Sequence, residues 1–120
     1  MKILYIEDNP TAVKNVQRLA ALIGCECLVA VTGAQGLALL DDRPDIVLTD
    51  MELPDYDGIP LIREIRSRGS TVPIIAITGF ALVGEREQCF EAGCNEYLRK
   101  PYELSALMDL LRRYGPATSS

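Results

Sequence analysis

The chain of 120 residues carries 12 Lys and Arg against 17 Asp and Glu, which gives a net charge of −5. This length suits one domain, and the acidic balance argues against a nucleic-acid-binding surface, which needs a basic stripe. The sequence contains no histidine, which excludes Ser-His-Asp catalysis, Cys-His catalysis and His-ligated metal sites. Chemistry near neutral pH would therefore fall to carboxylates, hydroxyls, lysine or thiols.

Five short apolar runs are expected to be strands, and each is followed by a segment with helical spacing. In chain order the strands are expected at residues 3–6, 27–31, 45–50, 72–78 and 96–98. The helices are expected at about residues 10–23, 33–40, 59–68, 82–92 and 104–114. Residues 1–114 would form the domain, and residues 115–120 a disordered tail or linker stub.

Local signals support these boundaries. Asn9 and Thr32 are residue types that cap helix N-termini, and Gly24 is typical of a helix C-terminus. Glu64 and Arg68 form an i,i+4 pair of opposite charge at the end of the third helix. The strand at residues 45–50 shows no alternation of apolar and polar residues, which favours a strand that is covered on both faces.

Alternating strands and helices predict an α/β fold with a parallel sheet and helices on both faces, but do not fix the strand order. Such doubly wound sheets bind ligands outside the carboxyl ends of their strands. The residues that fall there are Glu7 and Asp8, Asp50, Thr78 and Lys100. One edge of the sheet thus receives three carboxylates, a hydroxyl and an ammonium group.

This combination predicts a cation site and phosphoryl chemistry. At separations of ~5 Å and an effective dielectric constant of ~20, two carboxylates repel by ~3 kcal/mol, so three of them favour binding of a cation. Hard oxygen ligands suit Mg²⁺ or Mn²⁺. A divalent ion beside a carboxylate nucleophile and a lysine is a combination of groups that is typical of phosphoryl transfer. Because nucleotide-binding glycine motifs are absent from the sequence, the expected phosphoryl donor is another protein or a small acyl phosphate.

Four sequence motifs at these strand ends resemble the receiver domain of bacterial response regulators, and the resemblance covers about residues 2–114. They are Ile6-Glu7-Asp8-Asn9, the segment from Leu48 to Gly58 around Asp50, Ile77-Thr78-Gly79, and Tyr97-Leu98-Arg99-Lys100-Pro101. The resemblance implies a flavodoxin-like fold, a single doubly wound sheet of five parallel strands in the order 2-1-3-4-5 with five helices.

The resemblance also implies a role for each matching residue. Asp50 would be the phosphoacceptor, Lys100 would pair with the phosphoryl group, and Thr78 would hydrogen-bond one of its oxygens. Tyr97 would change rotamer together with Thr78, and a cis peptide bond before Pro101 would place the Lys100 side chain. The implied Mg²⁺ ligands are Glu7, Asp8, Asp50 and the backbone carbonyl of Glu52.

The implied function is a phosphorylation-dependent switch in a two-component phosphorelay. A histidine kinase or histidine phosphotransfer protein would supply the phosphoryl group, and the domain would catalyse only its own phosphorylation and dephosphorylation. It would be a stand-alone regulator or a receiver excised from a hybrid kinase or larger regulator. Gly79 would leave access to the phosphoryl group open, and an acid at Glu52 could orient or repel the water that removes it.

Two alternatives belong to other functional classes. One is a Mg²⁺-dependent phosphatase or hydrolase with an Asp nucleophile, but such enzymes usually carry a second Asp where this chain has Glu52. The other is a degenerate receiver that binds partners without phosphorylation. The presence of the complete set of acids, together with Thr78 and Lys100, argues against this alternative.

The fifth helix carries a second apolar line, Ala106, Leu110 and Tyr114, beside the face formed by Leu104, Leu107, Met108 and Leu111. It would be either a widened core stripe or part of a surface with helix 4 and strand 5 that binds a downstream protein or a second copy of the chain. No segment predicts a membrane span, and the start of the chain lacks a secretory signal. We therefore expect a cytoplasmic protein.

The four cysteines are Cys25, Cys27, Cys89 and Cys94. We expect free thiols that pack as small apolar side chains. A four-thiolate zinc site is the alternative, but the implied strand order would place the two pairs on different sides of the domain.

Overall fold

Five parallel strands alternate with five helices in the computed structural model, which describes residues 1–115. The strands are β1 (Lys2–Ile6), β2 (Glu26–Ala30), β3 (Ile46–Asp50), β4 (Ile74–Thr78) and β5 (Glu96–Arg99). The helices are α1 (Pro10–Leu22), α2 (Gly33–Leu39), α3 (Gly58–Ser67), α4 (Glu85–Ala92) and α5 (Leu104–Tyr114), and a 3-10 turn (Leu40–Asp42) follows α2. Residues 116–120 of the predicted tail lie outside the described residues.

The sheet order is β2-β1-β3-β4-β5, and every pair of neighbouring strands is parallel. This confirms the expected fold class and strand order. All five residues of β3 and of β4 are buried, as the lack of alternation predicts for strands with helices on both faces. The carboxyl end of β3 therefore lies at the centre of one sheet edge.

Two apolar cores hold the helices against the sheet. Alternate residues of β1 point to opposite faces, so Ile3 and Tyr5 belong to one core and Leu4 and Ile6 to the other. Helices α1 and α5 pack on the first face, with buried residues such as Leu19, Leu107 and Leu111. Helices α2, α3 and α4 supply the second core, with residues such as Leu37, Ile62 and Cys89.

The predicted helix signals hold in the structure. The Asn9 side chain accepts hydrogen bonds from the backbone nitrogens of Thr11 (2.9 Å) and Ala12 (3.1 Å), and Thr32 accepts one from Gln35 at 3.0 Å. Such caps satisfy backbone donors that have no partner within the helix.

Two details of the sequence prediction are wrong. Helix α4 begins at Glu85 rather than near Leu82, because Gly84 adopts a left-handed conformation (φ +81°) that a helix cannot contain. The side chains of Leu82 and Val83 stay exposed in the preceding loop. Leu104 is the first residue of α5 and is 46% exposed, so it is not part of the buried face.

The second apolar line of α5 is half-buried. Leu110 and Tyr114 pack against the core beside α1, and the Tyr114 hydroxyl donates a 2.8 Å hydrogen bond to Glu96 Oε1 on β5. This packing favours the widened core stripe over a free surface for these two side chains.

All four cysteines are free, and Cys89 and Cys94 are buried. Cys27 lies on the edge strand β2, whereas Cys94 lies two residues before the opposite edge strand, β5. This separation disfavours a zinc site shared by the two pairs. Among the described residues, no helix has the length and apolar character needed to cross a bilayer.

Candidate functional site

The carboxyl ends of the strands are tied together by backbone hydrogen bonds that continue the sheet ladder by one residue. Glu7 N donates to Ala30 O (2.8 Å), Met51 N to Ile77 O (2.9 Å) and Lys100 N to Thr78 O (2.7 Å). These bonds fix the backbone of the candidate residues at one edge. The side chains of these residues therefore start from one edge of the sheet.

Three carboxylates meet at this edge. Oxygen atoms of Glu7, Asp8 and Asp50 all lie within 4.8 Å of one another. Glu7 is 1% exposed and Asp50 5% exposed, whereas Asp8 is exposed to solvent. The cluster therefore consists of two buried carboxylates and one that is exposed to solvent.

Lys100 supplies the positive charge. Its Nζ lies 2.9 Å from Glu7 Oε1 and 3.9 Å from Asp50 Oδ1. Burial alone would lower the pKa of Lys100, but the hydrogen bond to Glu7 and the charges of Asp50 and Glu7 outweigh burial and raise it. The ammonium group is therefore charged throughout the neutral pH range.

The Glu7 carboxylate has partners at both oxygens. Besides Lys100, Oε1 accepts a hydrogen bond from the Tyr5 hydroxyl (3.3 Å), and Oε2 accepts from the backbone nitrogens of Asp8 (3.1 Å) and Asn9 (3.3 Å). A buried charge is tolerated only with such partners. The sequence motifs do not single out Tyr5, although its position two residues before Glu7 indicates that both lie on the same face.

Asp50 is the buried acid at the end of the central strand. Its Oδ1 accepts a 3.3 Å hydrogen bond from Glu52 N. Burial raises the pKa of Asp50, while the charge of Lys100 acts in the opposite direction. Asp50 therefore sits in a partly desolvated environment with a single nearby ammonium group among the described residues.

Thr78 lies beside this cluster and is 1% exposed. Its Oγ1 is 3.1 Å from Glu52 Oε1 and 3.0 Å from Phe80 O, and it accepts a 3.1 Å hydrogen bond from Phe80 N. The Glu52 side chain is exposed and reaches across from the loop after β3. A Cβ atom added at Gly79 would meet no heavy atom within 4 Å, so space remains open next to Thr78.

Tyr97 on β5 is half-buried, and its hydroxyl donates a hydrogen bond to Glu85 in the first turn of α4. Burial, together with this bond, raises the pKa of Tyr97. The Lys100–Pro101 peptide bond is cis. No sequence signal identifies Glu85 as a partner, since the periodicity puts residue 85 inside a helix that in fact starts there.

A cleft of about 640 Å³ opens between the loop after β3, the start of α3 and the loop that leads into α4. Glu52, Gly58 and Glu85 line it, and the exposed side chains of Phe80 and Leu82 form part of its wall. The three clustered acids do not line this cleft, and the exposed Asp8 is where the cluster meets solvent.

Asp55 has a structural role that the sequence does not reveal. Its carboxylate accepts hydrogen bonds from the backbone nitrogens of Gly33 (2.7 Å) and Ala34 (3.0 Å) at the start of α2. These bonds lower the pKa of Asp55. Local sequence patterns do not indicate this contact, because it joins segments more than twenty residues apart.

We expect Asp55→Asn to lower stability near neutral pH, and the deficit to shrink in acid. A lowered folded-state pKa means that the carboxylate contributes fully above its ordinary value of 3.8 and loses its contribution as pH falls through the folded value. Urea midpoints of wild type and variant, measured from about pH 6 to about pH 3, check this. A constant difference over that range would show that the hydrogen bonds do not depend on the charge.

The sequence matches the family model for the response regulator receiver domain over residues 3–112. The chain belongs to this family. The structure is similar to that of the receiver domain of a Pseudomonas aeruginosa sensor histidine kinase, which was crystallised with magnesium coordinated in its active-site cleft. The TM-score is 0.84 at 38% identity, with 94% of this chain and 95% of that chain covered.

Curated relatives of this receiver domain include a sensor histidine kinase and a response regulator. The sensor histidine kinase RcsC of Salmonella typhi is 35% identical over 116 residues, which is 96% of this chain but 12% of that protein. The response regulator MprA of Mycolicibacterium vanbaalenii is 34% identical over 121 residues, or 97% of this chain and 52% of that protein. The receiver domain therefore spans between about one eighth and one half of these relatives.

The receiver domain is thus a signalling switch of two-component phosphorelay systems. The alternative of a phosphatase with an Asp nucleophile is not favoured, because the matched relatives are kinases and regulators of these systems.

Proposed function

We propose that this receiver domain takes a phosphoryl group onto Asp50 from a phosphohistidine of a histidine kinase or histidine phosphotransfer protein, with Mg²⁺ bound beside it. The main support for this proposal is that buried Asp50, at the end of the central strand, lies close to Lys100 and to two further carboxylates. Asp8 is exposed, so the acid cluster reaches solvent on that side, from which a donor could approach.

The transfer needs no general base. An Asp50 carboxylate oxygen attacks the phosphorus, the new O–P bond forms as the P–N bond breaks, and the electron pair returns to the imidazole nitrogen of the donor, which gains its proton from solvent. Lys100 is placed to balance charge on the phosphoryl oxygens, because its Nζ is 3.9 Å from Asp50 Oδ1. The Thr78 hydroxyl, buried at the end of β4, can donate a hydrogen bond to one of the phosphoryl oxygens.

The donor set fits a divalent cation. Three carboxylates face one ammonium group, so two negative charges remain uncompensated among the described residues at this site. Glu7, Asp8, Asp50 and the Glu52 carbonyl would hold Mg²⁺, and Mn²⁺ has similar ligand preferences. When bound, the ion would supply positive charge to the phosphoryl oxygens.

The phosphorylated state would be transmitted through Thr78 and Tyr97. Thr78 would turn toward the phosphoryl group, and Tyr97 would leave Glu85 and change rotamer with it. Because Tyr97 on β5 contacts the first turn of α4, the change would alter the surface formed by α4, β5 and α5. This surface is the proposed site for a downstream protein or a second copy of the chain.

The proposed role is that of a cytoplasmic switch and not of a metabolic enzyme. The domain would catalyse only its own phosphorylation and the loss of its phosphoryl group. The size of the matched relatives is compatible with either a receiver cut from a larger protein or a regulator in its own right.

The proposed metal site is tested by Asp8→Asn. We expect the variant to bind Mg²⁺ about tenfold or more weakly and to be labelled more slowly by acetyl phosphate, because one of three carboxylate ligands loses its charge. Calorimetric Mg²⁺ titration and intact-mass measurement of labelling report the two effects.

Asp57→Asn is the matched control. Asp57 is an exposed acid that precedes α3 and makes no side-chain capping bond there, so the substitution removes the same charge outside the three-acid cluster. Equal loss of Mg²⁺ affinity in both variants would contradict the proposed ligand set.

A further inference from the structure

The Thr78 hydroxyl has one proton and two acceptors within reach. Glu52 Oε1 lies 3.1 Å away and Phe80 O lies 3.0 Å away. A carboxylate is the stronger acceptor of the two, because it carries a negative charge. The hydroxyl oxygen itself is occupied as an acceptor by Phe80 N. In this structure, the Thr78 proton is therefore directed at Glu52 or Phe80, and Thr78 has to give up this arrangement before it can donate to a phosphoryl oxygen.

The charge of Glu52 is not balanced by a nearby cation. Within residues 1–115, no Lys or Arg nitrogen lies within 4.0 Å of its carboxylate, whereas Lys100 contacts both Glu7 and Asp50. The backbone nitrogen of Glu52 lies 3.3 Å from Asp50 Oδ1, so Glu52 is also a direct neighbour of Asp50. Its carboxylate thus adds negative charge close to the proposed phosphoacceptor.

We propose that Glu52 is a positioning residue that holds the Thr78 hydroxyl in the unphosphorylated protein and opposes phosphorylation of Asp50. It acts in two ways: it occupies the hydroxyl that a phosphoryl oxygen needs, and its charge repels the incoming anionic group. The proposal rests on the phosphoryl transfer to Asp50 proposed above. Release of Glu52 leaves no buried group unpaired, because Phe80 O remains available to Thr78 and the Glu52 carboxylate reaches solvent.

The contact itself is tested without metal or phosphoryl donor. A double-mutant cycle of Glu52→Ala and Thr78→Val, measured by urea unfolding, isolates the coupling between the two side chains. We expect a coupling of about threefold to tenfold in the folding equilibrium constant, as for a charged hydrogen bond with one exposed partner. Additive effects of the two substitutions would overturn the contact.

The functional consequence is tested by labelling with acetyl phosphate and Mg²⁺. We expect Glu52→Ala to be labelled about three to ten times faster than wild type, and Glu52→Gln, which keeps an acceptor but loses the charge, to be intermediate. In the Thr78→Val background the gain from Glu52→Ala should shrink, since only the charge effect remains. If Glu52 had a purely structural role, the increase in labelling rate caused by Glu52→Ala would not depend on the presence of Thr78.

Asp57→Ala is the matched control, because Asp57 pairs with Glu52 through the backbone and its side chain makes no capping bond to α3. We expect its labelling rate to stay close to that of wild type. A Glu52→Ala rate equal to that of the Asp57→Ala control, or slower than wild type, would overturn the proposal while leaving phosphorylation of Asp50 intact. Failure of the wild type to be labelled at all would instead overturn the proposed function.

Discussion

Asp50→Asn should abolish incorporation of a phosphoryl group from acetyl phosphate in the presence of Mg²⁺. The amide is a far weaker nucleophile than the carboxylate, and the substitution also removes one of the three charges that would attract the metal ion. Intact-mass measurement over a time course that labels wild type fully provides the test. The substitution is nearly isosteric, so the buried position at the end of β3 should keep its packing.

The control for this prediction is Asp57→Asn, which changes an exposed acid in the neighbouring loop. It should be labelled as wild type is. Full and lasting labelling of Asp50→Asn would place the phosphoacceptor elsewhere, and the assignment of the site would then be wrong.

Lys100→Met should have the second largest effect, a fall in the labelling rate of about 10²–10³-fold, which is typical for removal of one group that stabilises charge in a transition state. The variant should also be less stable. Glu7 is 1% exposed and would lose its 2.9 Å ion pair, and we expect a cost of about 1–3 kcal/mol, less than for a fully buried pair because the Lys100 side chain is 31% exposed.

Lys100→Arg is the matched control, because it keeps the positive charge but changes its shape. It should recover most of the stability and only part of the labelling rate. The pKa of Lys100 is raised from its ordinary value of 10.5, so its contribution to stability is complete below that value and is lost only as pH rises through the higher folded value. A stability difference between wild type and Lys100→Met that shrinks as pH rises from about 6 to about 9 would contradict this.

The strand ends illustrate what the sequence can predict. Alternating apolar runs and helix signals are local, and they are sufficient to assign Glu7, Asp50 and Lys100 to the carboxyl ends of parallel strands. Because parallel strands end at one edge, the convergence of these residues follows from the fold class. The order of the strands requires the family resemblance, since local patterns carry no information about which strands are neighbours.

The contacts of the glutamates illustrate what the sequence cannot predict. Glu52 and Glu85 are partners of Thr78 and Tyr97, but each contact depends on loop conformation and side-chain rotamers that no periodicity encodes. The expected start of α4 is wrong for a related reason. The apolar Leu82 and Val83 suggest a helix face, whereas Gly84 sets the boundary and leaves both exposed.

Chemical trapping of the phosphorylated wild-type protein shows which residue receives the phosphoryl group. Borohydride reduces an aspartyl phosphate to homoserine, and peptide mass mapping then locates the reduced residue. We expect a single reduced position, residue 50, that appears only when Mg²⁺ and acetyl phosphate are both present. Reduction at Asp8, Asp55 or Asp57 with residue 50 unchanged would contradict it.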